Sequence, residues 1–175
     1  FKRGDTFTGS FGRFDFNGES ADAPIVVGAY GEGPRPKIIT GNSAAFSMAG
    51  PDTREHIAIT SLHLEPGSGH PSGGIRIVTG SVGDVLIEDC YLREYAVNIL
   101  VQGTDSDQID DVRIRRNVIV DANGTTHSQA IYASNVDGLL IEGNIIDRNG
   151  WDHRQGRSDA TIFAHNCYIQ RTVED

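Results

Sequence analysis

The sequence predicts an all-β protein, a right-handed parallel β-helix with about three short strands in each coil. A similar phrase recurs along the chain, its apolar residues alternate, and helical spacing is absent. The phrase is centred on Ile87, Ile114 and Ile141, which are 27 residues apart, and a weaker copy is centred on Ile59, 28 residues earlier. A fixed period of this length is typical of stacked repeats, because no single unit can bury its apolar face alone.

Each repeat supplies the strands of one coil. The four copies of the phrase alternate apolar and other residues with many β-branched side chains, as strands do, over residues 57–64, 85–92, 112–119 and 139–146. A two-residue corner divides each copy into two strands. A third short alternating run follows in each unit, at residues 75–77, 97–99, 131–133 and 167–169. Three short strands in each repeat are typical of a parallel β-helix.

Asparagines mark one corner of the predicted coils. Asn117 and Asn144 occupy the same position in successive repeats. Asparagine tolerates bent backbone, and its amide can bond to a copy stacked above it, so the pattern predicts a hydrogen-bonded asparagine ladder. A simple polar turn would favour the same residue.

The whole chain, residues 1–175, fits one domain, with 21 glycines that suit a structure made mostly of corners and loops. Residues 1–56 form less regular coils, punctuated by Gly and Pro, and residues 57–175 form regular ones. Phe1 opens inside an apparent strand, and residues 172–175 stand where a further coil would begin. We therefore expect a fragment that lacks its C-terminal coils.

Charge and composition exclude several partners. The formal net charge of −9 argues against a basic surface for nucleic acid, and no apolar run is long enough to span a bilayer. Cys90 and Cys167 fall on inward-facing strand positions three coils apart, so we expect two unpaired core cysteines. Oligomeric state does not follow from these features.

Two N-terminal segments and the repeats carry a family resemblance. Residues 2–7 and 23–38, followed by repeats of the form Ile-x-x-Asn-x-Ile, resemble bacterial secreted right-handed β-helix proteins related to pectate lyases, alginate and chondroitin lyases and mannuronan epimerases. The resemblance implies a secreted or periplasmic protein that acts on a polysaccharide. It transfers no catalytic residue, because the chain lacks the Asp-Pro-His-Asp motif of those epimerases and shows no clear match to the Lys and Arg pair of the chondroitinase-like lyases.

A polar and aromatic face is predicted on the last strand of each coil. Aligning these strands by their inward residues places Arg76, Asn98, Tyr132 and Tyr168 in one outward column. A second column, three positions earlier, holds Gly73, Tyr95, Gln129 and His165. Aromatic rings take sugar faces, whereas amides and guanidinium groups take hydroxyls and carboxylates. This face therefore predicts a groove for a linear glycan, and a wetted sheet face is the alternative.

Long loops enter the same face. The longest, residues 147–159, contains Trp151, His153 and Arg154, and the preceding long loop ends at His127. The residues of long loops on a solenoid do not have to match the repeat that stacks the coils, and such loops often carry function. We predict substrate binding by two residues of the column, Arg76 and Asn98, and by three of the loop, Trp151, His153 and Arg154.

The chemistry suggested by the resemblance is β-elimination at a uronate. It needs a base, a cation beside the carboxylate and an acid for the leaving oxygen. His127 or His165 suits the base, and Tyr132 or Tyr168 suits the acid or base. Arg154 or Arg76 suits the cation. Either histidine is alternatively a polar side chain hydrogen-bonded beside a loop.

Other functions remain open on the sequence. A glycoside hydrolase would need two carboxylates across the groove, for which Asp121, Asp147 and Asp152 are available. A noncatalytic solenoid, of the adhesin or phage tail type, would need no catalytic group. We expect no metal or other cofactor, with Ca²⁺ at the acidic turn 105–111 as the alternative.

A structural role is expected for a charged column. Glu88, Arg115 and Glu142 occupy equivalent outward positions of successive coils. Opposite charges on neighbouring strands stabilise a sheet modestly, so we predict a structural charge ladder here.

Overall fold

A computed structural model of the chain describes residues 1–68, 71–106, 109–124, 126–151 and 160–170. These residues form strands and connecting turns without any helix, which confirms the all-β prediction. The strands are β1 (Thr6–Thr8), β2 (Gly12–Arg13), β3 (Ile25–Val27), β4 (Lys37–Ile39), β5 (Phe46–Ala49), β6 (Arg54–Thr60), β7 (His63–Glu65), β8 (Ile75–Val78), β9 (Val82–Glu88), β10 (Tyr91–Arg93), β11 (Val97–Gln102), β12 (Ile109–Arg115), β13 (Val118–Val120), β14 (Ser128–Ser134), β15 (Val136–Asp137), β16 (Leu140–Glu142), β17 (Ile145–Asp147) and β18 (Ala164–Gln170).

The strands stack into three parallel sheets, and each coil contributes to all three. The first sheet contains β1, β4, β7, β10, β13 and β17, and the second contains β2, β5, β8, β11, β14 and β18. The third contains β3, β6, β9, β12 and β15, with β16 also paired to β12. The described residues therefore complete five turns and begin a sixth, which confirms the parallel β-helix with three strands per coil.

The repeat sets the register between coils. Ile59 pairs with Ile87, Ile87 with Ile114, and Ile114 with Ile141, so the centres of the repeated phrase lie above one another in the third sheet. Ile59, Ile87 and Ile114 are fully buried. Each such side chain contributes roughly 1.5–3 kcal/mol when removed from water. Stacked aliphatic columns thus form the core.

The predicted asparagine ladder is present. The backbone N–H of Cys90 donates to Asn117 Oδ1 at 2.9 Å, and the backbone N–H of Asn117 donates to Asn144 Oδ1 at 2.9 Å. The Asn117 amide also donates to the carbonyl of Ile87 at 2.9 Å. Arg116 precedes Asn117 with a φ of 51°, a left-handed conformation that interrupts the strand. The ladder therefore satisfies backbone groups where the chain turns between the third and first sheets.

A buried arginine closes a corner of the second coil. The Arg54 side chain is fully buried. Its guanidinium pairs with the Asp15 carboxylate and donates to the carbonyls of Asp52 at 2.7 Å and Ala49 at 2.9 Å. These acceptors offset the cost of burying the charge. They tie the irregular segment before β3 to the regular coils.

The two cysteines are unpaired, as predicted, but only one lies in the core. Cys90 is buried, whereas Cys167 is exposed. Cys167 does occupy the expected inward register, because it pairs with the core residue Ile131. It belongs to β18, which lies at the end of the second sheet, so no further described strand covers it. The prediction of a buried Cys167 was wrong for that reason.

The charge ladder on the third sheet is confirmed. Arg115 lies between two carboxylates, with its Nε 3.7 Å from Glu88 Oε1 and 3.2 Å from Glu142 Oε2. Arg116 also pairs with Glu88. These contacts join successive coils, as cross-strand pairs do.

Candidate functional site

A continuous outward column follows the second sheet through six coils. Cross-strand pairing connects each member to the next, in the order Arg13, Ser47, Arg76, Leu100, Tyr132 and Tyr168. Neighbouring strands in a sheet lie about 4.8 Å apart, so successive side chains of the column are close neighbours. Along this order the column changes from polar and basic at the N-terminal coils to aromatic at the last described coil.

The predicted place of Asn98 in this column was wrong. Ile99, rather than Val97, pairs with Ile75, so Leu100 takes the outward position beside Arg76. Asn98 is fully buried instead, and its amide donates to the carbonyl of Val120 at 3.1 Å. Because β11 alternates apolar residues over its whole length, the sequence allowed two registers. The structure gives Asn98 a place inside the coil, away from the face predicted to bind substrate.

The same shift in register removes Tyr95 from the predicted second column. Val97 pairs with Gln129, and Gln129 pairs with His165, so Val97 takes that position. Tyr95 is fully buried, with its hydroxyl 3.0 Å from the Thr40 hydroxyl. Burial raises the pKa of Tyr95, which therefore stays protonated in its structural role.

Three of the predicted catalytic side chains lie together. The rings of Tyr132 and Tyr168 are stacked, with centroids 5.7 Å apart and planes inclined by 24°. The His165 ring lies 5.0 Å from that of Tyr168. His165 Nδ1 is buried and has no hydrogen-bond partner in the described parts of the chain. Tyr168 keeps 39% of its surface exposed, so a ligand can reach its ring.

The fourth predicted catalytic residue makes different contacts. His127 lies exposed just before β14, with its ring 5.0 Å from the Phe163 ring. Its Nδ1 is 3.2 Å from the Thr126 hydroxyl. The structure thus groups His127 with Phe163, and His165 with the tyrosine pair.

The long loop is described only at its start. Trp151 is exposed over 39% of its surface. His153, Arg154 and Asp152 lie outside the described residues. The predictions made for these three side chains therefore stay predictions.

The carboxylates considered for hydrolysis lie on the first-sheet side of the coil. Asp121 accepts from Arg148 Nε at 2.9 Å, and Asp147 accepts from Arg148 Nη1 at 2.7 Å. Both carboxylates therefore share one guanidinium at a corner, and neither belongs to the column of the second sheet.

The acidic turn shows no metal centre in its described part. Asp107 lies outside the described residues. Elsewhere in the ranges that the structure covers, no three His, Cys, Asp or Glu side chains converge as metal ligands would.

An open depression lies at the N-terminal end of the column. Its volume is about 640 Å³. It is lined by Ser10, Gly12, Arg13, Ser43, Ala44, Ser47, Ala49, Gly50 and Arg76. Arg13 pairs with Asp15 and with Asp52, the latter at 2.9 Å. Arg76 has no ion pair with any residue that the structure describes. The depression thus joins the predicted substrate-binding residue Arg76 to several hydroxyl groups.

The first sheet carries a polar cluster that the sequence analysis missed. His63 Nε2 lies 2.9 Å from Glu65 Oε2, and Lys37 Nζ lies 3.2 Å from Glu65 Oε1. The His63 ring meets the Tyr91 ring edge-on at 4.6 Å. Lys37, His63 and Tyr91 are cross-strand partners in one outward column, so the repeat of the middle strands is the signal that predicts the cluster.

Burial and neighbouring charges both shift the pKa values of His63 and Glu65 in this cluster. Burial, opposed by the nearby Glu65 carboxylate, lowers the pKa of His63 from its ordinary value of 6.5. Burial alone would raise the pKa of Glu65, but the hydrogen bonds and charges of Lys37 and His63 together outweigh burial, and the pKa is lowered. At neutral pH the cluster therefore pairs a neutral imidazole with an ionised carboxylate.

No protein-family model, no curated protein and no solved structure matches this chain. Within the described ranges, no helix has the length and hydropathy needed to cross a membrane.

Proposed function

We propose that this protein is a carbohydrate-active β-helix that holds a polysaccharide along the outward column of its second sheet. The observation that carries the proposal is the stacked, accessible pair of Tyr132 and Tyr168 at one end of a column that also contains Arg76. Aromatic faces suit the apolar faces of sugar rings, and a guanidinium suits hydroxyl or carboxylate oxygens. Repeated coils present such groups in a line, which matches a linear polymer.

The favoured reaction is β-elimination at a uronate. His165 or Tyr168 would take the proton from the carbon beside the carboxylate, and the electron pair would form the C=C bond as the glycosidic C–O bond breaks. A protonated group, Tyr132 or Tyr168, would supply a proton to the leaving oxygen. The His165 and Tyr168 rings lie 5.0 Å apart between centroids, which supports the proposal that both side chains act on the same sugar residue.

The cation for this reaction must lie near the tyrosines. Arg76 is two strands from Tyr132 and three from Tyr168 in the register of the second sheet. At about 4.8 Å for each strand spacing, Arg76 is roughly 14 Å from Tyr168 along the column. Arg76 therefore suits a neighbouring sugar of the same chain. Arg154, which we predicted from its loop, remains the proposed cation beside the reacting carboxylate.

A direct assay tests the reaction. The protein is incubated with a panel of uronate polysaccharides, with and without Ca²⁺, and the ultraviolet absorbance of the unsaturated uronate product is followed. We expect absorbance to rise with the wild type and to stay flat with Tyr168→Phe, which keeps the ring and removes the hydroxyl. A flat trace with the wild type on every uronate polymer would contradict the lyase proposal.

A noncatalytic glycan-binding solenoid is the second candidate. It is favoured by the Tyr132 and Tyr168 hydroxyls, which have no hydrogen-bonded base or carboxylate among the residues that the structure describes. A binding protein should retain its affinity in Tyr168→Phe and lose it in Tyr168→Ala. An enzyme should retain affinity but lose turnover in Tyr168→Phe. Turnover that the wild type shows and Tyr168→Phe loses, at unchanged affinity, therefore separates an enzyme from a binding protein.

A further inference from the structure

The depression beside Arg76 has features of a binding subsite. Its lining comes from β2, β5 and β8 and from the turns that flank them, so three successive coils contribute to it. Ser47 and Arg76 are direct cross-strand partners in this lining. Ser47 and Arg76 therefore lie on hydrogen-bonded strands, which hold side chains more accurately than loops do.

Arg76 is held in place along its aliphatic part. A Cβ atom at Gly73 would lie only 2.7 Å from Arg76 Cγ and 3.1 Å from Cδ, so the side chain occupies space that the glycine leaves. Arg76 Nε is buried without a hydrogen-bond partner in the described parts of the chain. A buried donor of this kind costs about 1–3 kcal/mol unless a ligand or water satisfies it.

The charge of Arg76 also lacks a partner. Arg93, Arg113 and Arg115 have a buried Nε of the same kind, yet each also pairs with a carboxylate. Arg76 forms no ion pair with the described residues, although the chain carries a formal net charge of −9. An unneutralised guanidinium in an acidic protein is a local site of attraction for anions.

Hydroxyl groups complete the lining. Ser43 and Ser47 belong to it, and Ser47 stands beside Arg76 on the neighbouring strand. Ser10 donates to the carbonyl of Ala44 and accepts from the backbone N–H of Gly12 at 2.8 Å, so its hydroxyl is already used. Ser43 and Ser47 are therefore the hydroxyl donors offered to a ligand.

We propose that Arg76, with Ser43 and Ser47, forms a subsite for an oxyanion, namely the carboxylate or sulfate ester of an acidic sugar. A guanidinium presents two parallel N–H donors that fit two oxygens of such a group, and hydroxyls donate to the remaining oxygen. The assignment to a sugar rests on the proposed function. The oxyanion chemistry rests on the depression alone.

The distance between this subsite and the tyrosine pair would affect which polysaccharides the protein selects. Arg76 lies roughly 14 Å along the column from Tyr168, at about 4.8 Å for each strand spacing. A glycan held by both residues must carry its charged substituent at that distance from the sugar on the tyrosine. The subsite would thus select polymers by their pattern of charged substituents as well as by the sugar at the aromatic end.

Ligand titration followed by NMR tests the subsite. The arginine Nε–H resonances are recorded while glucuronate, a sulfated monosaccharide, sodium sulfate and uncharged methyl glucoside are added in turn. We expect the Arg76 resonance to move and saturate with glucuronate, the sulfated sugar or both. Methyl glucoside should leave it unmoved, and the charged sugar that binds identifies the source of the oxyanion.

Variants at Arg76 show whether the binding belongs to it. Arg76→Gln should weaken the binding of the charged sugar at least tenfold, and Arg76→Lys should weaken it less, because the charge remains without the two-pronged geometry. Arg116→Gln, which removes an exposed arginine from the corner after β12, away from the depression, is the matched control and should bind like the wild type. Thermal unfolding confirms that each variant is folded. If Arg76→Gln fails to fold, the comparison of Arg76→Lys with the control decides.

Two results would overturn the subsite. One is unchanged affinity in Arg76→Gln, or in Arg76→Lys where that variant decides. The other is binding of sodium sulfate alone, with no charged sugar bound. Failure of the proposed function would give a different result. Charged monosaccharides would still bind at Arg76, but Tyr168→Ala would not change the affinity for any polysaccharide.

Discussion

Tyr132 and Tyr168 are direct cross-strand partners whose rings stack at 5.7 Å on the second sheet. They are separated by 36 positions in the sequence, because the loop between them is longer than in the other coils. The strands on either side of that loop, β14 and β18, still pair in register. The scaffold can therefore change its loops beside the column while it keeps the aromatic pair in line.

The asparagine ladder should contribute strongly to stability. Asn117→Ala removes the acceptor of the Cys90 N–H and the donor to the Ile87 carbonyl, both inside the coil. We expect a loss of about 2–4 kcal/mol in the free energy of unfolding, because buried polar groups are left unpaired. Urea denaturation measures it. Asn42→Ala, at an exposed turn, is the control and should change little; equal losses in the two variants would contradict a structural role for the ladder.

The two thiols should differ in reactivity. Burial raises the pKa of Cys90 to about 12, so its thiolate is scarce at pH 8 as well as inaccessible. Burial also raises the pKa of Cys167, but that residue is exposed. In native protein at pH 8, a thiol reagent should label Cys167 and leave Cys90 unlabelled until urea is added. Mass spectrometry of the labelled peptides checks the assignment, and rapid native labelling of Cys90 would show that its coil is open.

The acid stability of the protein should depend on Asp15. Its hydrogen bond with the buried Arg54 lowers the pKa of the Asp15 carboxyl from its ordinary value of 3.8. A folded-state pKa below the unfolded one gives stabilisation that is present above about pH 4 and is lost as the pH falls through the folded value. Asp15→Asn should therefore have a lower Tm at pH 7, with the difference shrinking towards pH 3. Asp22→Asn, at an exposed turn, is the control; a constant difference from the wild type for Asp15→Asn would contradict this linkage.

His63 should make stability depend on pH in a higher range. Its pKa is lowered in the folded protein, chiefly by burial, so the folded state binds protons less readily than the unfolded state. The stabilisation is present above about pH 6.5 and is lost as the pH falls through the folded pKa. In His63→Gln, which keeps an N–H donor for Glu65, the Tm should fall less between pH 7.5 and pH 5 than in the wild type. An NMR titration that placed the pKa of His63 above 6.5 would reverse the sign and refute the prediction.

The fold was predictable from the sequence because one signal repeats. The spacing of Ile87, Ile114 and Ile141 fixes the coil length, and the alternation around them identifies the inward face. The Asn117 ladder was predictable for the same reason, since equivalent positions stack. Burial at the end of the stack could not be predicted in this way. Periodicity assigns Cys167 an inward position but does not indicate whether another strand covers it.

The site was predictable only in part. The pairing of Tyr132 with Tyr168 followed from their inward neighbours, whereas Asn98 was misplaced because β11 offers two registers of alternating apolar residues. The contact of His63 with Glu65 was missed because the repeat indicates which residues share a column but not which of their side chains meet. No sequence signal distinguished Arg76 from the paired arginines, since ion pairing depends on side-chain positions in three dimensions.

The most direct test of glycan binding at the second sheet is affinity electrophoresis on a panel of polysaccharides with Tyr132→Ala and Tyr168→Ala. Loss of an aromatic platform costs about 0.5–1.5 kcal/mol, so we expect affinity for the retained polymer to fall about two- to tenfold in each variant. Tyr30→Ala, which removes an exposed tyrosine from the first coil, should migrate like the wild type. Equal retardation of the wild type and all three variants, or no retardation on any polysaccharide, would contradict glycan binding at this face.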